Sequence, residues 1–342
     1  MRLRIIFKYF LIVIITILFF TDCSESADDS DSNESTDLSG PYFGQKPPGT
    51  IPEIFSSDIV STGFMEHQSP SFNPSGTELY YMINFQISPR PILYTCVEDG
   101  YWMPMKVAPF SGCYDDGGVT FTHDGKRLFF HSVRPVNDQL EPKTDSDIWF
   151  VERTNEGWST PINLPSPINT EHSEYMPSIS ANGTLYFIRS GAGVNGIFYS
   201  LYINGKYEEP ILMSKSINTE NWNAYPFVAP DESYFMFASN RPSGLGSSDI
   251  YICYKTEEGE WTEPINLGPT VNSERWDAAP RVTIDGKYLF FCSSRKNDFH
   301  DYCITALTYE DVLQRNHSAG NGAGDVFWVS ANIIDKLRPK TD

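Results

Sequence analysis

The chain has 342 residues, of which 40% are hydrophobic, 14% aromatic and 20% charged, so it is too apolar for a disordered protein. Aromatic residues together with 24 Gly and 24 Pro favour many short strands and tight turns. The net charge of −19 excludes general nucleic-acid binding, which needs a basic face, and docking on an anionic lipid surface by charge alone.

The first 22 residues have the layout of a secretory signal peptide. Three basic residues precede an apolar run over 9–20 that is too short to span a bilayer comfortably. Cys23 follows, and this stretch resembles a bacterial lipoprotein signal. The resemblance implies that Cys23 is lipidated and anchors the protein in the bacterial cell envelope, in the periplasm or on the outer-membrane surface. Secretion with an unmodified Cys23 and a retained membrane anchor are the alternatives.

Residues 23–50 are predicted to form an acidic tether rich in Ser and Asp. Six acidic residues and no basic residue lie within 24–40, among many serines. Such a composition cannot bury a core, so the segment is expected to be solvated. The folded body is predicted over 51–335, followed by a C-terminal tail over 336–342.

A strand–turn–strand unit recurs along the body. Its five copies lie at 70–81, 119–130, 177–187, 226–237 and 280–291. Four of the turns end in Gly and the fourth has Glu232, and Asp-Gly or Asn-Gly between apolar runs is a strong hairpin signal. A third strand and a fourth strand, opened by an aromatic residue such as Trp158 or Trp261, follow the unit. Four-stranded modules of about 50 residues are typical of propeller blades.

The two ends of the body complement each other. The fifth copy has a third strand at 324–330 but no fourth, whereas 52–70 is similar to 264–280, which contains a fourth strand. We therefore predict an all-β, five-bladed β-propeller of four-stranded antiparallel blades, in which the N-terminal strand completes the last blade. A sixth, degenerate blade within 296–323 is the alternative to an insertion with a short helix near 308–315.

The repeats resemble WD40-like β-propeller repeats of the TolB-type propeller. The resemblance rests on the HDG and IDG turns followed by LFF, and on the segments 239–252 and 259–268. It implies a propeller over most of the body, a fold that serves binding, scaffolding and catalysis alike. It also implies structural ion pairs between arginines that end second strands and aspartates that start third strands: Arg134, Arg241 and Arg295 with Asp147, Asp249 and Asp325.

Polar residues recur nine positions before each turn residue. They are His67, Asp116, Glu174, Asn223 and Asp277. Because first strands line the channel of a propeller, these residues are predicted to ring one channel mouth and to bind a ligand there. Asp116, Glu174 and Asp277 are the candidate ligands of a hard cation such as Ca²⁺, or of an amine. The alternative is that these polar residues bind only water. Trp222 and Trp276 lie near the same mouth, as a sugar platform or as inter-blade packing.

The sequence contains no GxSxG, P-loop, GxGxxG, HExxH or CxxC motif, so no catalytic residue is assigned and no cofactor is required. We predict a non-catalytic binding or scaffold propeller that recognises an envelope protein, peptide or glycan. The alternative is a glycoside hydrolase or lyase that uses the carboxylates at the channel mouth. A disulfide between Cys292 and Cys303 is left open.

Overall fold

The computed structural model describes residues 38–84, 88–136, 141–296 and 308–340. The predicted signal peptide, Cys23, most of the predicted tether and Cys303 lie outside these residues, so lipidation stays a prediction. Cys292 is a buried free thiol.

Five antiparallel sheets form the blades of a propeller, as the repeats predict. Blade 1 contains the strands Ser71–Phe72, Glu78–Met82, Ile92–Glu98, Tyr101–Trp102 and Lys106–Val107. Blade 2 contains Asp116–Phe121, Arg127–Ser132, Asp147–Thr154, Gly157–Trp158 and Ile162–Asn163. Blade 3 contains Ser173–Ile179, Leu185–Gly191, Val194–Ser200 and Ile211–Leu212, with a hairpin of Tyr202–Ile203 and Lys206–Tyr207.

Blades 4 and 5 have the same order. Blade 4 contains Asn223–Val228, Tyr234–Ser239, Asp249–Tyr254 and Ile265–Asn266. Blade 5 contains Asp277–Val282, Tyr288–Ser293, Asp325–Ser330 and Glu53–Ile54. The number of blades is therefore five, and the alternative of six is wrong. The first strand of each blade is its inner strand. The term mouth face denotes the end of the propeller at which the inner strands begin, and the term turn face denotes the opposite end.

The closure of the ring is confirmed. Glu53 pairs with Trp328 and Ile54 with Phe327, and the Phe55 amide donates to the Val326 carbonyl at 2.8 Å. The buried Phe55 ring lies edge-on to Phe290, with ring centroids 4.9 Å apart. The N-terminal strand thus covers the edge of blade 5 that would otherwise be unpaired, and its apolar side chain enters the core.

The turn between the first and second strand of each blade requires a left-handed backbone. The turn glycines Gly76, Gly125, Gly183 and Gly286 have φ between 67° and 93°. Glycine adopts this conformation without steric cost, which is why Asp-Gly and Asn-Gly recur there. In blade 4 Glu232 takes the same conformation at φ 58°. Its side chain compensates by accepting a hydrogen bond from Ser180 Oγ of blade 3 at 3.1 Å.

The hydrophobic core lies between neighbouring blades. Along the second strand of blade 2, Leu128 and Phe130 pack toward blade 1, whereas Phe129 packs toward blade 3. Alternate residues of a strand face opposite sides of the sheet, so a strand covered on both sides is apolar throughout. Burial of each such Phe stabilises the fold by about 1.5–3 kcal/mol. The continuous LFF and LYY runs of the repeats have this origin.

Helices are short and lie outside the blades. A 3₁₀ turn covers Pro41–Gly44, and α-helices cover Tyr309–Asn316 and Asn332–Leu337. The first α-helix confirms the helix that the sequence places near 308–315, and Thr308 caps it by accepting from the Asp311 amide at 3.1 Å. In the described part of the chain, no helix has both the length and the apolar character that a membrane crossing requires.

Candidate functional site: the central channel and its mouth

Four of the predicted ring residues begin the inner strands of blades 2 to 5, where each is held by an arginine of its own blade. The nearest approaches are Asp116–Arg134 (2.8 Å), Glu174–Arg189 (2.7 Å), Asp277–Arg295 (2.8 Å) and Asn223–Arg241 (3.5 Å). The three carboxylate side chains have no exposed surface. They act as internal clips between the first and second strands rather than as a ligand-facing ring.

Hydroxyl groups complete these clips. Ser111, Thr170 and Ser273, from the connections that precede the inner strands, donate to Asp116, Glu174 and Asp277 at 2.5–2.7 Å. Burial raises the pKa of Asp116 and of Glu174, although the arginine and the hydroxyl groups oppose that rise. A carboxylate that is neutralised and fully hydrogen-bonded in this way is not positioned to transfer a proton to a ligand.

The predicted partners of the ion pairs are wrong. Arg134 and Arg295 bond to first-strand acids, and the third-strand aspartates have other partners. Asp147 binds Lys143 at 2.6 Å, Asp249 accepts from the Leu245 and Gly246 amides, and Asp325 accepts from the Gly320 amide at 3.0 Å. A second strand lies between the first and the third, so the sequence does not show to which neighbour its arginine turns. Ser132 Oγ accepts from Arg134 Nε at 2.9 Å and directs it toward the first strand.

The structure does not assemble the predicted calcium ligands. In the described ranges, no three His, Cys, Asp or Glu side chains come together in a way that could hold a metal ion. Asp116, Glu174 and Asp277 lie in three different blades, and each is bound to its own arginine. A divalent cation would have to displace an arginine at each position, which would leave that buried guanidinium unpaired.

Blade 1 departs from this pattern. The place of the other acids is taken by Glu66, not by His67: Thr62 Oγ1 donates to Glu66 at 2.6 Å, as Thr170 does to Glu174. No arginine pairs with Glu66 in the described part of the chain. Burial, together with the nearby charge of Asp325, raises the pKa of Glu66 to about 8. Asp325 is itself buried, its Oδ1 atom has no hydrogen-bond partner, and its pKa is raised to about 6.

The shift by one residue leaves His67 near His131 of blade 2. His67 is half-buried, and its Nδ1 atom has no hydrogen-bond partner. Burial lowers the pKa of both histidines, and the charges of Arg90 and His67 contribute to the fall to about 3 for His131. The Met176 amide donates to His131 Nδ1 at 3.4 Å, so the neutral ring accepts at this atom. Both imidazoles are therefore uncharged at neutral pH.

Aromatic side chains line the mouth between blades 4 and 5. Tyr225 lies between Trp222 and Trp276, with ring centroids at 5.8 Å and 6.0 Å and edge-to-face geometry on both sides. Trp222 is 40% exposed and Trp276 is half-buried. Trp276 therefore serves mainly as packing, whereas Trp222 presents a large apolar surface to solvent at the mouth face.

Below the mouth, β-bulges narrow the channel. The inner strands of blades 2 to 5 each shift register two residues after their start. The bulge residues Gly118, Met176, Tyr225 and Ala279 all have φ between 54° and 62°. Together with Gln68 of blade 1 they line a cavity of about 30 Å³, and a second cavity of about 40 Å³ lies toward the turn face. Spaces of this size hold a few small molecules such as water, not a sugar ring.

The sequence missed Glu66, His131 and Tyr225 as parts of the site. A usable signal for Glu66 is the spacing of four from a hydroxyl residue to the acid, in Thr62–Glu66, Thr170–Glu174 and Ser273–Asp277. For Tyr225 the signal is the position two residues after the clip. His131 has no signal in the sequence, because it approaches the bulge residue Gly118 from a second strand.

Comparisons with known proteins find partial similarity to solved structures. No protein-family model and no curated protein matches the sequence. TolB from Acinetobacter baumannii is 15% identical, with a TM-score of 0.43 over 77% of this chain and 56% of that chain. An alpha-L-arabinofuranosidase from Lactobacillus brevis is 11% identical, with a TM-score of 0.44 over 79% and 91%. The GH43 protein BlXynB from Bacillus licheniformis is 14% identical, with a TM-score of 0.43 over 81% and 56%.

Proposed function

We propose that this protein is a non-catalytic binding propeller of the bacterial cell envelope, which recognises an apolar segment of a partner protein at its mouth face. The observation that carries the proposal is the set of large apolar side chains that this face exposes. They are Phe64, Met65, Val136, Trp222 and Leu245, with exposed fractions between 40% and 55%. Topology puts all five beside the starts of inner strands or the ends of second strands.

Such exposure favours a protein partner over a sugar. Exposed aliphatic and aromatic side chains around a rigid rim are typical of protein interaction surfaces. The rim is rigid because five hydrogen-bonded sheets hold it, so few groups need to be ordered when a partner binds. A sugar platform would also need hydrogen-bonding groups, whereas the Glu174 and Asp277 carboxylates at the starts of the inner strands are occupied by arginines.

Anchoring through Cys23 is part of the proposal. The acidic, serine-rich stretch after Cys23 supports a solvated spacer between the membrane and the propeller. Mass spectrometry of the mature N-terminus tests it: a diacylated or triacylated Cys23 is expected. A mature chain that begins elsewhere with an unmodified cysteine would contradict it.

Site-specific photo-crosslinking in cells tests recognition at the mouth face. A photoreactive phenylalanine derivative replaces Leu245 on the mouth face or, as a matched control, Ile203 on the turn face, where both side chains are exposed by nearly half. We expect one discrete partner band from position 245 and none from 203, and Trp222→Ala should abolish the band. Equal labelling from both faces, or none, would refute the proposal.

The glycosidase alternative is tested separately. Purified protein is assayed on a panel of glycans beside the Asp277→Ala variant. Because Arg295 and Ser273 occupy the Asp277 carboxylate, we expect no turnover by either protein. Turnover by the wild type that is lost in the variant would establish the enzyme instead.

A further inference from the structure

Arg281 places a positive charge in the middle of the central channel. It lies in the inner strand of blade 5, five residues before the turn residue. The residues at the same level of the other blades are Ser71, Thr120, Ser178 and Phe227. Arg281 lines both channel cavities, the one of about 30 Å³ toward the mouth face and the one of about 40 Å³ toward the turn face. The ring at this level therefore holds one guanidinium, three hydroxyl groups and one phenyl ring.

The guanidinium of Arg281 has neutral hydrogen-bond partners. Its Nη1 donates to Thr120 Oγ1 at 2.8 Å and to Ser71 Oγ at 3.4 Å, and its Nη2 donates to the Val119 carbonyl at 3.1 Å. In the described part of the chain, no carboxylate lies within ion-pair distance of it. By contrast, the clip arginines Arg134, Arg189 and Arg295 all lie 2.7–2.8 Å from a carboxylate oxygen.

The charge of Arg281 is costly in this position. Burial lowers the pKa of Arg281 to about 10, so the group remains charged at neutral pH. An enclosed charge without a counter-charge destabilises a protein unless another ion neutralises it. The channel cavities leave room beside the guanidinium for such an ion.

The three hydroxyl groups of this ring have protons to donate. Ser71 Oγ accepts from the Phe121 amide at 3.2 Å, Ser178 Oγ accepts from the Val228 amide at 3.0 Å, and Thr120 Oγ1 accepts from Arg281. Within the described ranges, none of the three donates to another protein atom. Each hydroxyl has one proton, which remains to be donated, and each already accepts from at least one donor. The channel at this level therefore presents a positive charge and three hydroxyl protons that no described protein atom accepts.

We propose that the channel binds a small monovalent anion of halide size between Arg281 and the hydroxyl groups of Ser71, Thr120 and Ser178. The anion accepts from the guanidinium and from the hydroxyl protons, and it neutralises the enclosed charge. A cavity of about 40 Å³ fits a monatomic ion and excludes larger organic ligands. The site is independent of partner recognition at the mouth face.

Anion-dependent melting of the full-length protein tests the site. Thermal unfolding is followed in sodium chloride and in sodium gluconate at constant ionic strength, since gluconate is too large for the cavity. A rise of roughly 4 °C is expected when chloride exceeds its dissociation constant 100-fold. Equal melting temperatures in the two salts would refute the proposal, because the internal hydrogen bonds of Arg281 do not depend on the anion.

Variants locate the effect. Arg281→Met should lose the chloride dependence, whereas Arg275→Gln, which removes a charge from an exposed position, should keep it. If Arg281→Met does not fold, Ser178→Ala decides, because Ser178 does not bond to Arg281 and its loss should weaken the apparent chloride affinity several-fold. Unchanged chloride dependence in Arg281→Met or in Ser178→Ala would overturn the assignment.

Diffraction gives a direct test. A crystal of the wild-type protein soaked in bromide should show an anomalous peak within hydrogen-bond distance of the Arg281 guanidinium. The same soak of an Arg281→Met or Ser178→Ala crystal should show a weaker peak or none. A wild-type channel without a bromide peak contradicts the proposal.

Discussion

Blades 2 to 5 and the junction of blade 5 with blade 1 differ in how the polar residue buried at the start of the inner strand is balanced. The inner strands of blades 2, 3 and 5 begin with a buried acid that an arginine neutralises within the same blade, and an amide replaces the acid in blade 4. At the junction, Glu66 and Asp325 are buried together, and among the described residues no arginine pairs with either of them. The same backbone position is thus charge-balanced inside a blade, whereas at the seam of the ring its balance depends on protonation.

The largest expected effect comes from breaking a clip. Asp116→Ala leaves Arg134 buried without its counter-charge, so the free energy of unfolding should fall by about 3–5 kcal/mol in urea titrations. Asp124→Ala is the control, because its pair with Lys126 spans 3.9 Å between side chains that are more than half exposed. That change should cost less than about 1 kcal/mol. Equal losses in the two variants would show that the clip contributes nothing special.

The second effect concerns pH at the seam. The pKa of Glu66 lies near 8 in the folded protein and near 4.5 as its ordinary value, so the folded state holds the proton more tightly. The contribution of Glu66 to the stability of the fold is therefore greatest below about pH 4.5, and it falls as the pH rises toward 8. Glu66→Gln should remove this fall and make the variant more stable than the wild type at pH 8, by roughly 2–4 kcal/mol.

Unfolding curves recorded at pH 5 and pH 8 measure that effect. The side chains that face Glu66 are Thr62, Asp325, Tyr81 and Cys292, so Asp325 is the group that shares the titration. Glu174→Gln serves as the comparison, because Glu174 has an arginine partner, Arg189 at 2.7 Å, and the substitution removes that ion pair and should destabilise the protein. A wild type equally stable at pH 5 and pH 8 would be inconsistent with a buried, unpaired Glu66.

A third prediction concerns the bulges that distinguish blades 2 to 5. A methyl group at Gly118 would lie 2.5 Å from His131 Nδ1 and 3.1 Å from Met176 Cα, at φ +62°. Gly193 has a similar φ of +85°, but a methyl group there meets nothing within 4 Å. Gly118→Ala should therefore destabilise by about 1–3 kcal/mol more than Gly193→Ala in denaturant titrations. Equal losses of stability in the two variants would mean that His131 and Met176 accommodate the methyl group without cost.

The smallest effect is expected at the mouth. Trp222 is 40% exposed, so Trp222→Ala should change the free energy of unfolding by less than about 1 kcal/mol. Trp276→Ala, where the ring is half-buried against Tyr225, should cost more. A large loss of stability from Trp222→Ala would indicate a structural role for this ring and weaken its assignment to binding.

The fold could be predicted because the repeat unit occurs five times in the sequence. Turn glycines, apolar runs and the missing fourth strand are local signals, and they agreed on five blades and on closure at Glu53–Ile54. The site was harder, because its properties depend on side-chain direction. The position nine residues before each turn falls on Asp116 and Glu174, but their partners Arg134 and Arg189 sit at different distances from the turn.

The count back from the turn residue also failed in blade 1, where the chain differs from the other blades. Blades 2 to 5 each have a bulge two residues after the clip, and blade 1 has no register shift in its short inner strand. Glu66 lies ten residues before Gly76, whereas Asp116 lies nine residues before Gly125, so blade 1 has one residue more in this segment and the count falls on His67 instead of Glu66. A fixed count from the turn cannot detect this difference, because it assumes the same number of residues in every blade.

The strand Glu53–Ile54 completes its ladder with residues from the far end of the polypeptide. During synthesis this segment emerges first and must wait until the last blade has left the ribosome. Contacts of such high sequence separation form slowly, because a long loop loses entropy before any pairing energy is gained. Until closure, both sheet edges can pair with another copy of the chain. Folding yield in the cell should therefore respond to chaperones more than the stability of the finished ring would suggest.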